Sequence, residues 1–532
     1  MASPSSAPSS ADTAASPRSS SRNTIVIAFL LISTLYFADT LLRASLKTFW
    51  YDELVTVYLC KLPNFAATWS AVLHGGADLN PPLFYLLTRW SQYLFGEGLI
   101  ATRLPEMLGL WLFGLCLYQF VARRLGPLRG AVAGLFPVFT LAHYYAYEAR
   151  PHGIILGCFG LMMLCWQRAR EGKNVYLWVV GLWLSYLAAL LIHVYAVYLL
   201  IPFLIAEAIS IAKRQRPHLG IVAALLLAPP CVIRLYLRLY GNFRSGGFTG
   251  MHIHLYELVQ QYFVLVLGPA LPLLLLLLLF LAWKGPAADT FSAHAGRLSL
   301  SADELALAFG LAVLPAIGVI GIKISHAYYF DRYFLAATAG YALLLAQVTL
   351  LRSGRAFVAR NLFLSMIVLL SADTLVAAYC RWHHADLDQV EPSSHIIFVP
   401  SPANPLQRNP ALLRDATKLD ILVTDEPGYL YLYYYAPREI QSRLVFGAPR
   451  DDAFDSRFVD GYQRLARWGH ADLRLTTYDE FFATHKDFLV YAPNNVAYRT
   501  GCNDCLDKFL KAGYSLRSVE EDPYNLLERF GK

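Results

Sequence analysis

Two adjacent carboxylates follow the first apolar segment of the chain. Asp52 and Glu53 stand in FWYDELVTVYL, behind three aromatic residues of the kind found at the headgroup level of a membrane. A carboxylate in this position can act as a general base towards the hydroxyl or amine of an acceptor. Adjacent acidic residues on a solvated loop are also ordinary surface charges. The pair alone therefore leaves a catalytic and a surface interpretation open.

A third acidic residue, Glu148, occurs in AHYYAYEARPHG, two residues before Arg150. Pro151 predicts a break between two helices, because proline lacks a backbone donor and clashes with the preceding turn. One interpretation is an Arg–Glu pair that closes a helical turn. The other is a functional one, because the topology predicted below puts Glu148 on the same membrane face as Asp52.

Several basic residues fall near the predicted outer ends of apolar segments, where the insertion bias disfavours them. Charges at a bilayer boundary are costly and usually have a partner or a function. Arginine binds phosphate in a bidentate manner, so such residues beside acidic ones suit an anionic lipid phosphate. Snorkelling side chains are the alternative. The set comprises Arg150, Arg234, Arg238, Arg244, Lys323 and Arg332.

Histidines and cysteines give weaker signals. His74 and His193 lie on the predicted outer side and, with Glu148, can ligate a divalent cation, although neither lies in a pair with ligand spacing on one helix. Cys502 and Cys505 form a CxxC in a polar stretch, which in an exported domain predicts a local disulfide rather than a redox centre. The sequence contains no P-loop and no GxGxxG motif, so nothing in it supports ATP-driven transport.

Composition defines the environment of these residues. Of the 532 residues, 56% are hydrophobic and 16% are charged, against about 25% charged in soluble proteins. The mean hydropathy is +0.41. These values predict an integral membrane protein and exclude a soluble enzyme, a disordered chain and a small disulfide-stabilised protein. The formal net charge of +7 is too small to indicate a nucleic-acid partner.

Apolar runs predict roughly eleven membrane spans, since about 20 residues cross a hydrocarbon core roughly 30 Å thick. The predicted spans are 25–42, 99–122, 128–147, 152–168, 175–192, 194–212, 219–238, 257–283, 304–324, 331–351 and 361–380.

Alternate loops between these spans are rich in Arg and Lys, so the positive-inside bias places the N-terminus in the cytoplasm. An odd number of spans then puts the C-terminus outside. We predict a disordered tail over 1–22, a transmembrane domain over 23–380 with a first exported loop over 45–98, and an exported soluble α/β or α+β domain over 381–532. The predicted fold class is an α-helical polytopic membrane protein with this soluble C-terminal domain.

The order of several motifs carries a resemblance. After Asp52-Glu53 come NPPLFYLL, RLPEMLGLWLFG, EARPHGIIL, HVYAVYLL and DRYFLAATAGYALLLA. This series resembles bacterial membrane glycosyltransferases related to protein O-mannosyltransferases and lipid A aminoarabinose transferases. These are C-type glycosyltransferases that use a polyprenyl-phosphate-linked sugar, and the resemblance covers about residues 23–380.

The resemblance implies roles for particular residues. It assigns a catalytic acidic residue of the first exported loop to Asp52, with Glu53 beside it, and a second acidic site residue to Glu148. An Arg–Tyr pair near the outer end of a late span corresponds to Arg332 and Tyr333, which we expect to meet the donor phosphate. Further expectations are donor-phosphate contacts from Arg150 and Lys323, and substrate contacts from His74, His193 and Asn80, which replaces the family's histidine before Pro81.

These residues predict an inverting transfer in one displacement at the anomeric carbon, with Asp52 as the base. The expected partners are a polyprenyl-phosphate-linked sugar, membrane lipids, and a lipid, glycan or protein acceptor at the outer face of the cytoplasmic membrane. No cofactor is required by this scheme, although Glu148 offers a ligand for a divalent cation. The alternative is a carrier or flippase for lipid-linked sugars that performs no chemistry, which would not need both acidic sites.

Overall fold

The computed structural model consists of helices up to Trp382, and the strands among its described residues all follow. It describes residues 17–73, 78, 80–213, 218–245, 255–283, 299–325, 330–350, 355–383, 385–387, 400–402, 410–424, 426–448, 473–493, 508–521 and 525–532. Of the tail predicted at 1–22, residues 1–16 lie outside these ranges, and Pro17 begins the first helix.

The helices that precede the strands are α1 (Pro17–Leu46), α2 (Tyr51–Cys60), α3 (Phe65–Leu73), α4 (Leu83–Phe95), α5 (Leu99–Leu125), α6 (Pro127–Leu135), α7 (Leu141–Tyr144), α8 (His152–Arg170), α9 (Val175–Ile192), α10 (Leu200–Ala212), α11 (Leu219–Ser245), α12 (Leu255–Tyr262), α13 (Leu271–Ala282), α14 (Ala302–Ala312), α15 (Leu314–Ser325), α16 (Ala337–Val348) and α17 (Arg355–Trp382). Turns of 3₁₀ helix occur at Phe136–Phe139, Tyr145–Tyr147, Val194–Leu199 and Asp331–Phe334, and a π-helical turn occurs at Phe263–Leu267.

Six helical segments among the described residues are long and apolar enough to cross a membrane, and the number rises to nine if each strongly bent helix pair counts as one span. The chain is therefore a multi-pass helical membrane protein, as its composition predicted. The number eleven remains a prediction. The six segments are Phe29–Leu46, Leu99–Leu125, Val175–Ile192, Val194–Ala212, Leu219–Gly241 and Phe357–Trp382.

Breaks interrupt several apolar regions that the sequence predicted as continuous spans, including 257–283, which bends by 74°, and 304–324, which bends by 55°. The predicted span 128–147 is interrupted after Leu135, where Pro137 lies in a 3₁₀ turn. The chain then bends by 118° between Leu141–Tyr147 and His152–Arg170. The predicted span 331–351 likewise starts with a 3₁₀ turn before α16. Irregular backbone at membrane depth is tolerated where it is buried in protein or lines a cavity, so these breaks mark candidate positions for a site.

Glycines bring α5 and α8 into backbone contact. A Cβ atom on Gly109 would overlap with the backbone of Gly153 and Ile154, and a Cβ on Gly157 would stand 2.8 Å from the carbonyl oxygen of Gly109. Small residues at a helix crossing allow this close approach, which in membranes replaces the hydrophobic driving force as a source of packing energy. The crossing fixes the start of α8 against α5.

The segment predicted as the first exported loop contains three helices, α2, α3 and α4. The hydroxyl of Thr68 on α3 donates to the carbonyl of Leu59 on α2 at 3.0 Å. From α4, Arg89 donates to the carbonyl oxygens of Cys60, the last residue of α2, and of Leu62 beyond it. These side-chain contacts hold α2, α3 and α4 as one compact unit, so the residues of α2 have a defined position.

The C-terminal part contains two sheets. Strands β1 (Ala385–Leu387) and β2 (Pro400–Pro402) pair with each other, and the larger sheet has the order β5-β4-β3-β6-β8-β7, parallel from β5 to β6 and antiparallel beyond. This confirms a small sheet domain after the membrane helices. The remaining elements are β3 (Ile421–Val423), β4 (Leu444–Ala448), β5 (Leu475–Thr477), β6 (Asp487–Pro493), β7 (Ser515–Glu521), β8 (Asn525–Gly531), α18 (Pro410–Arg414), α19 (Glu426–Tyr435), α20 (Arg438–Gln441) and α21 (Tyr478–Thr484).

The glycine crossing predicts a specific sensitivity. Gly109→Ala should destabilise the protein by about 1–3 kcal/mol, because the added methyl group overlaps with backbone that cannot rotate away. Thermal unfolding in detergent measures the effect. Gly220→Ala is the matched control, since its Cβ would meet only Val179 at ordinary van der Waals distance. Equal thermal stability of the two variants would contradict the close backbone packing of α5 against α8.

Candidate active site

Asp52 lies at the junction of two arginines. Its Oδ2 atom stands 3.5 Å from Nη2 of Arg332 and 3.9 Å from Nε of Arg150. Arg150 also donates to Oδ2 of Asp78 at 2.8 Å and to the carbonyl oxygen of Asp52 at 3.2 Å. The Asp52 side chain retains 21% exposure and the Arg332 side chain 18%. The group therefore combines a reachable carboxylate with two guanidinium groups.

The local sequence explains why Asp52 is presented in this way. It occupies the first turn of α2, whose N-cap is Trp50. Glu53 accepts from the backbone N–H of Trp50 at 3.3 Å, as a glutamate three residues after the cap does in a capping box. Acidic residues in a first turn are favoured by the helix dipole. Asp52 and Glu53 thus form the first turn of α2, and the Glu53 carboxylate points into the protein interior.

Glu53 is completely buried in a cage of donors. Arg103 donates to both its oxygens, at 2.8 and 2.9 Å, and Lys47 donates at 3.1 Å. The backbone N–H of Ala149 adds a bond at 2.7 Å. Burial alone would raise the pKa of Glu53, but the charges of Arg103 and Lys47 outweigh it and lower that pKa to about 2. This geometry favours a positioning role for Glu53 over the catalytic role expected from the sequence.

Arg103 and Lys47 were not identified from the sequence. Arg103 also donates to the carbonyl oxygens of Ala44, Lys47 and Thr48, and so binds the turn between α1 and α2. The available signal was an arginine near the end of a predicted span, because intramembrane charges usually have a specific partner. Spacing did not reveal that this partner was Glu53, fifty residues away.

Glu148 lies next to this cage, in the break between α7 and α8. The indole of Trp50 donates to its Oε1 atom at 2.9 Å, and Nζ of Lys47 stands 3.5 Å from Oε2. Burial raises the pKa of Glu148 more than the charge of Lys47 lowers it, and the neighbouring Glu53 carboxylate adds to the rise. The side chain is 1% exposed. Glu148 therefore faces the segment that carries Asp52 rather than open solvent.

A further glutamate, Glu106, supports the same break. Its Oε2 atom accepts from the backbone N–H of Ile154 at 3.0 Å, in the first turn of α8. The first amides of a helix lack intrahelical partners, and a side-chain oxygen in this position satisfies one of them. Glu106 stands in the motif RLPEMLGLWLFG, but the sequence gives no signal for this contact, because the contact depends on how α5 and α8 cross.

An aromatic pocket adjoins Arg332. Tyr333 stacks on Tyr195 with ring centroids 4.1 Å apart and lies 4.9 Å from the ring of His193. The Nδ1 atom of His193 accepts from the backbone N–H of Tyr195 at 3.2 Å. Burial, together with the charges of Arg150 and Arg332, lowers the pKa of His193 to about 3. A neutral imidazole whose Nδ1 accepts carries its proton on Nε2, so His193 acts as a donor there.

Of the remaining site residues predicted from the sequence, only some lie near Asp52 and its partners. Asn80 is buried, and its side-chain amide donates to Asp78 at 3.3 Å, so it supports the partner of Arg150. Lys323 lies exposed near the end of α15, and no ion pair joins it to an acidic residue of the described ranges. His74, Cys502 and Cys505 lie outside the described residues.

One group within the described ranges has the composition of a metal site. Asp39, His143 and Asp373 offer ligand atoms within 4.8 Å of one another. However, Arg43 contacts both carboxylates, at 3.0 Å for Asp39 and 2.5 Å for Asp373, and so neutralises much of their charge. Around Asp52, no third convergent ligand is present in the part of the chain that the structure describes. His193 uses its acceptor nitrogen on the backbone, so these residues do not fit a divalent cation.

Comparison with known proteins shows which family and which fold the chain resembles. Residues 79–233 match the model of a family described as dolichyl-phosphate-mannose-protein mannosyltransferase. This range includes Asn80, Arg150 and His193 but neither Asp52 nor Arg332. No curated protein in the comparison matches the sequence.

The whole chain also has the fold of ArnT from Cupriavidus metallidurans. Its apo crystal structure aligns over 96% of this chain and 98% of that chain, with a TM-score of 0.54 and 13% identity. The structure of that protein bound to undecaprenyl phosphate aligns over 95% and 97%, with a TM-score of 0.51 and 14% identity. The resemblance inferred from the ordered motifs is thus confirmed. The chain is similar to membrane C-type glycosyltransferases.

The buried cage predicts that Glu53 stabilises the fold. Glu53→Gln should cost about 3–5 kcal/mol, because it strands the charges of Arg103 and Lys47 in a buried place. Thermal unfolding in detergent measures this, with Glu97→Gln as the control, since the Lys61–Glu97 pair is largely exposed and contributes little.

The pH dependence of the stability difference between wild type and Glu53→Gln tests whether the charge of Glu53 causes it. The folded pKa of Glu53 lies below its ordinary value of 4.5. The stabilisation is therefore complete above about pH 4.5 and declines as the pH falls towards about 2. The gap between wild type and Glu53→Gln should narrow on acidification. A gap that widens at low pH would show that the cage does not stabilise the charged form.

Proposed function

We propose that the protein is a glycosyltransferase that moves a sugar from a polyprenyl-phosphate carrier to an acceptor at the outer face of the cytoplasmic membrane. The observation that carries this proposal is the geometry of Asp52 between Arg150 and Arg332. A base for the acceptor and cations for a phosphate leaving group are the two requirements of such a transfer. The similarity to a mannosyltransferase family and to the ArnT fold supports the same class.

In the proposed reaction, the acceptor oxygen or nitrogen attacks the anomeric carbon of the sugar. The Asp52 carboxylate takes the proton of that nucleophile as the new bond forms. The bond between the anomeric carbon and the phosphate oxygen breaks, and its electron pair leaves with the lipid phosphate. One displacement inverts the configuration at the anomeric carbon. No nucleotide is consumed, because the bond to the lipid phosphate supplies the driving force.

Arg332 and Arg150 link proton uptake by Asp52 to the departure of the lipid phosphate. Before transfer, Arg332 contacts the Asp52 carboxylate at 3.5 Å, a loose ion pair for a guanidinium group. When Asp52 becomes protonated, that negative charge disappears as negative charge develops on the departing phosphate oxygen. Arg332, with Arg150 beside it, then stabilises the phosphate. The positive charge is already in place, so its reorganisation costs little.

We assign sugar and acceptor contacts to the surrounding side chains. The Nε2–H group of His193 and the ring of Tyr333 border Arg332 and suit a sugar hydroxyl and a sugar face. Asn80 acts through Asp78, and Glu148 acts through Trp50 and Lys47. His74 and Lys323 remain proposals for substrate and donor-phosphate contacts. A divalent cation is given no step, because the residues around Asp52 do not fit one.

Orientation completes the proposal. The basic loops favour a cytoplasmic N-terminus and a C-terminal domain outside, in the periplasm of a cell with two membranes. A disulfide between Cys502 and Cys505, which we predict from their CxxC spacing, would suit an oxidising compartment. The sugar, whether a hexose or a pentose, and the lipid, glycan or protein acceptor would be identified by assay. The bilayer is the source of the lipid-linked donor.

The central prediction concerns Asp52. Asp52→Asn should lower sugar transfer about 10²–10⁴-fold, the usual contribution of a general base, while the protein still folds and binds donor. Purified protein in detergent would receive a panel of radiolabelled polyprenyl-phosphate sugars and a membrane extract as acceptor. Glu97→Gln, on the same exported loop but exposed, is the matched control. Donor binding by wild type and variant without transfer by either would favour a carrier or flippase instead.

A second prediction compares the contributions of Arg332 and Lys323 to binding of the donor phosphate. Arg332→Gln should lower kcat/KM about tenfold or more, because a charge-assisted contact to the leaving phosphate is lost. Arg332→Lys should restore only part of it, since lysine lacks the planar bidentate geometry. Lys323→Gln serves as the comparison, because Lys323 makes no contact with Asp52 among the described residues and should have the smaller effect. An Arg332 variant with wild-type kinetics would remove this residue from the phosphate site.

A further inference from the structure

Within the described part of the C-terminal domain, a tyrosine-rich helix packs against the segment that carries Asp52. Helix α19, EPGYLYLYYY, follows strand β3 and packs on α2. One continuous apolar cluster includes buried residues of both, among them Leu54 and Tyr58 from α2 and Tyr429 and Leu432 from α19. A helix that is apolar around most of its circumference is buried on more than one side. Helix α19 therefore lies between the sheet and the exported loop.

The contacts concentrate on the short turn between α1 and α2. The hydroxyl of Tyr435 accepts from the backbone N–H of Phe49 at 2.7 Å. The ring of Tyr434 meets that of Phe49 edge-on, with centroids 5.8 Å apart. The hydroxyl of Tyr431 lies 3.3 Å from Oγ1 of Thr48. Phe49 is completely buried and stands three residues before Asp52.

The same turn is held from the membrane side by Arg103. Its guanidinium group lies 4.8 Å from the centre of the Phe49 ring and donates to the carbonyl oxygens of Lys47 and Thr48. The carbonyl groups of the turn are thus bound by the membrane domain, while the N–H of Phe49 is bound by the C-terminal domain. A buried backbone N–H needs a partner, and here another domain supplies it.

We propose that Tyr435 is a positioning residue for the site, through which the C-terminal domain holds the α1–α2 turn and thereby fixes Asp52 relative to Arg150 and Arg332. Tyr435 touches neither Asp52 nor the arginines and acts through Phe49. This inference rests on the proposed function for its kinetic consequence, but its structural part does not. It gives the C-terminal domain a role in the geometry of the reaction, in addition to any contact with an acceptor.

Tyr435→Phe tests the proposal, because it removes one hydroxyl group and keeps the ring. In the full-length protein we expect kcat to fall about fivefold to tenfold, as loss of one buried hydrogen bond implies, with KM for the lipid-linked sugar little changed. Tyr434→Phe is the matched control, since its ring meets Phe49 but no hydrogen bond of its hydroxyl is found among the described residues. It should retain kcat within about twofold.

Hydrogen exchange provides a readout that does not depend on activity. The peptide that contains Phe49 should exchange faster in Tyr435→Phe than in wild type and in Tyr434→Phe, because its amide has lost its acceptor. Unchanged exchange, or equal kcat for the two variants, would overturn the positioning role. Faster exchange in a protein whose wild type transfers no sugar would instead contradict the proposed function and leave the domain contact intact.

Discussion

The buried contact between Glu53 and Arg103 joins the parts of the chain on which the site depends. Through it, the start of α2, the N-terminal part of α5 and the break before α8 share one network, since Ala149 also donates to Glu53. Buried charges cost several kcal/mol of desolvation, which only good geometry and further hydrogen bonds offset. Lys47 and the bound carbonyl groups supply those bonds. With Glu53 committed to this network, Asp52 is the partner that remains accessible for chemistry.

The breaks in the apolar helices are the second constraint. Glu148 and Arg150 lie between α7 and α8, His193 lies between α9 and a 3₁₀ turn, and Arg332 and Tyr333 lie in the 3₁₀ turn before α16. A regular helix satisfies its own backbone, whereas a break at membrane depth must find other partners. Glu106 and Glu53 supply such partners around α8. The same breaks free side chains to converge on Asp52.

The C-terminal domain extends this arrangement beyond the membrane helices. Its helix α19 contacts the α1–α2 turn, which Arg103 also binds. The alignment with ArnT covers nearly the whole chain at 13% identity. A fold can be retained at so low an identity because apolar positions tolerate exchange when volume and pattern are kept. The shared fold does not imply that the polar contacts described above also occur in ArnT.

The amino-acid sequence by itself determined that the chain is a multi-pass helical membrane protein and where its six long apolar helices lie, and it singled out candidate residues for the site. Apolar runs report burial in lipid directly, and Asp52, Arg150 and Arg332 stood out because charges at a bilayer edge are costly. Only the tertiary structure decided that Glu53 is enclosed while its neighbour Asp52 is accessible, since one residue along a helix turns a side chain by about 100°. It alone decided the partners Arg103, Lys47 and Tyr435, because contacts between distant segments depend on how helices cross, which local sequence periodicity does not encode.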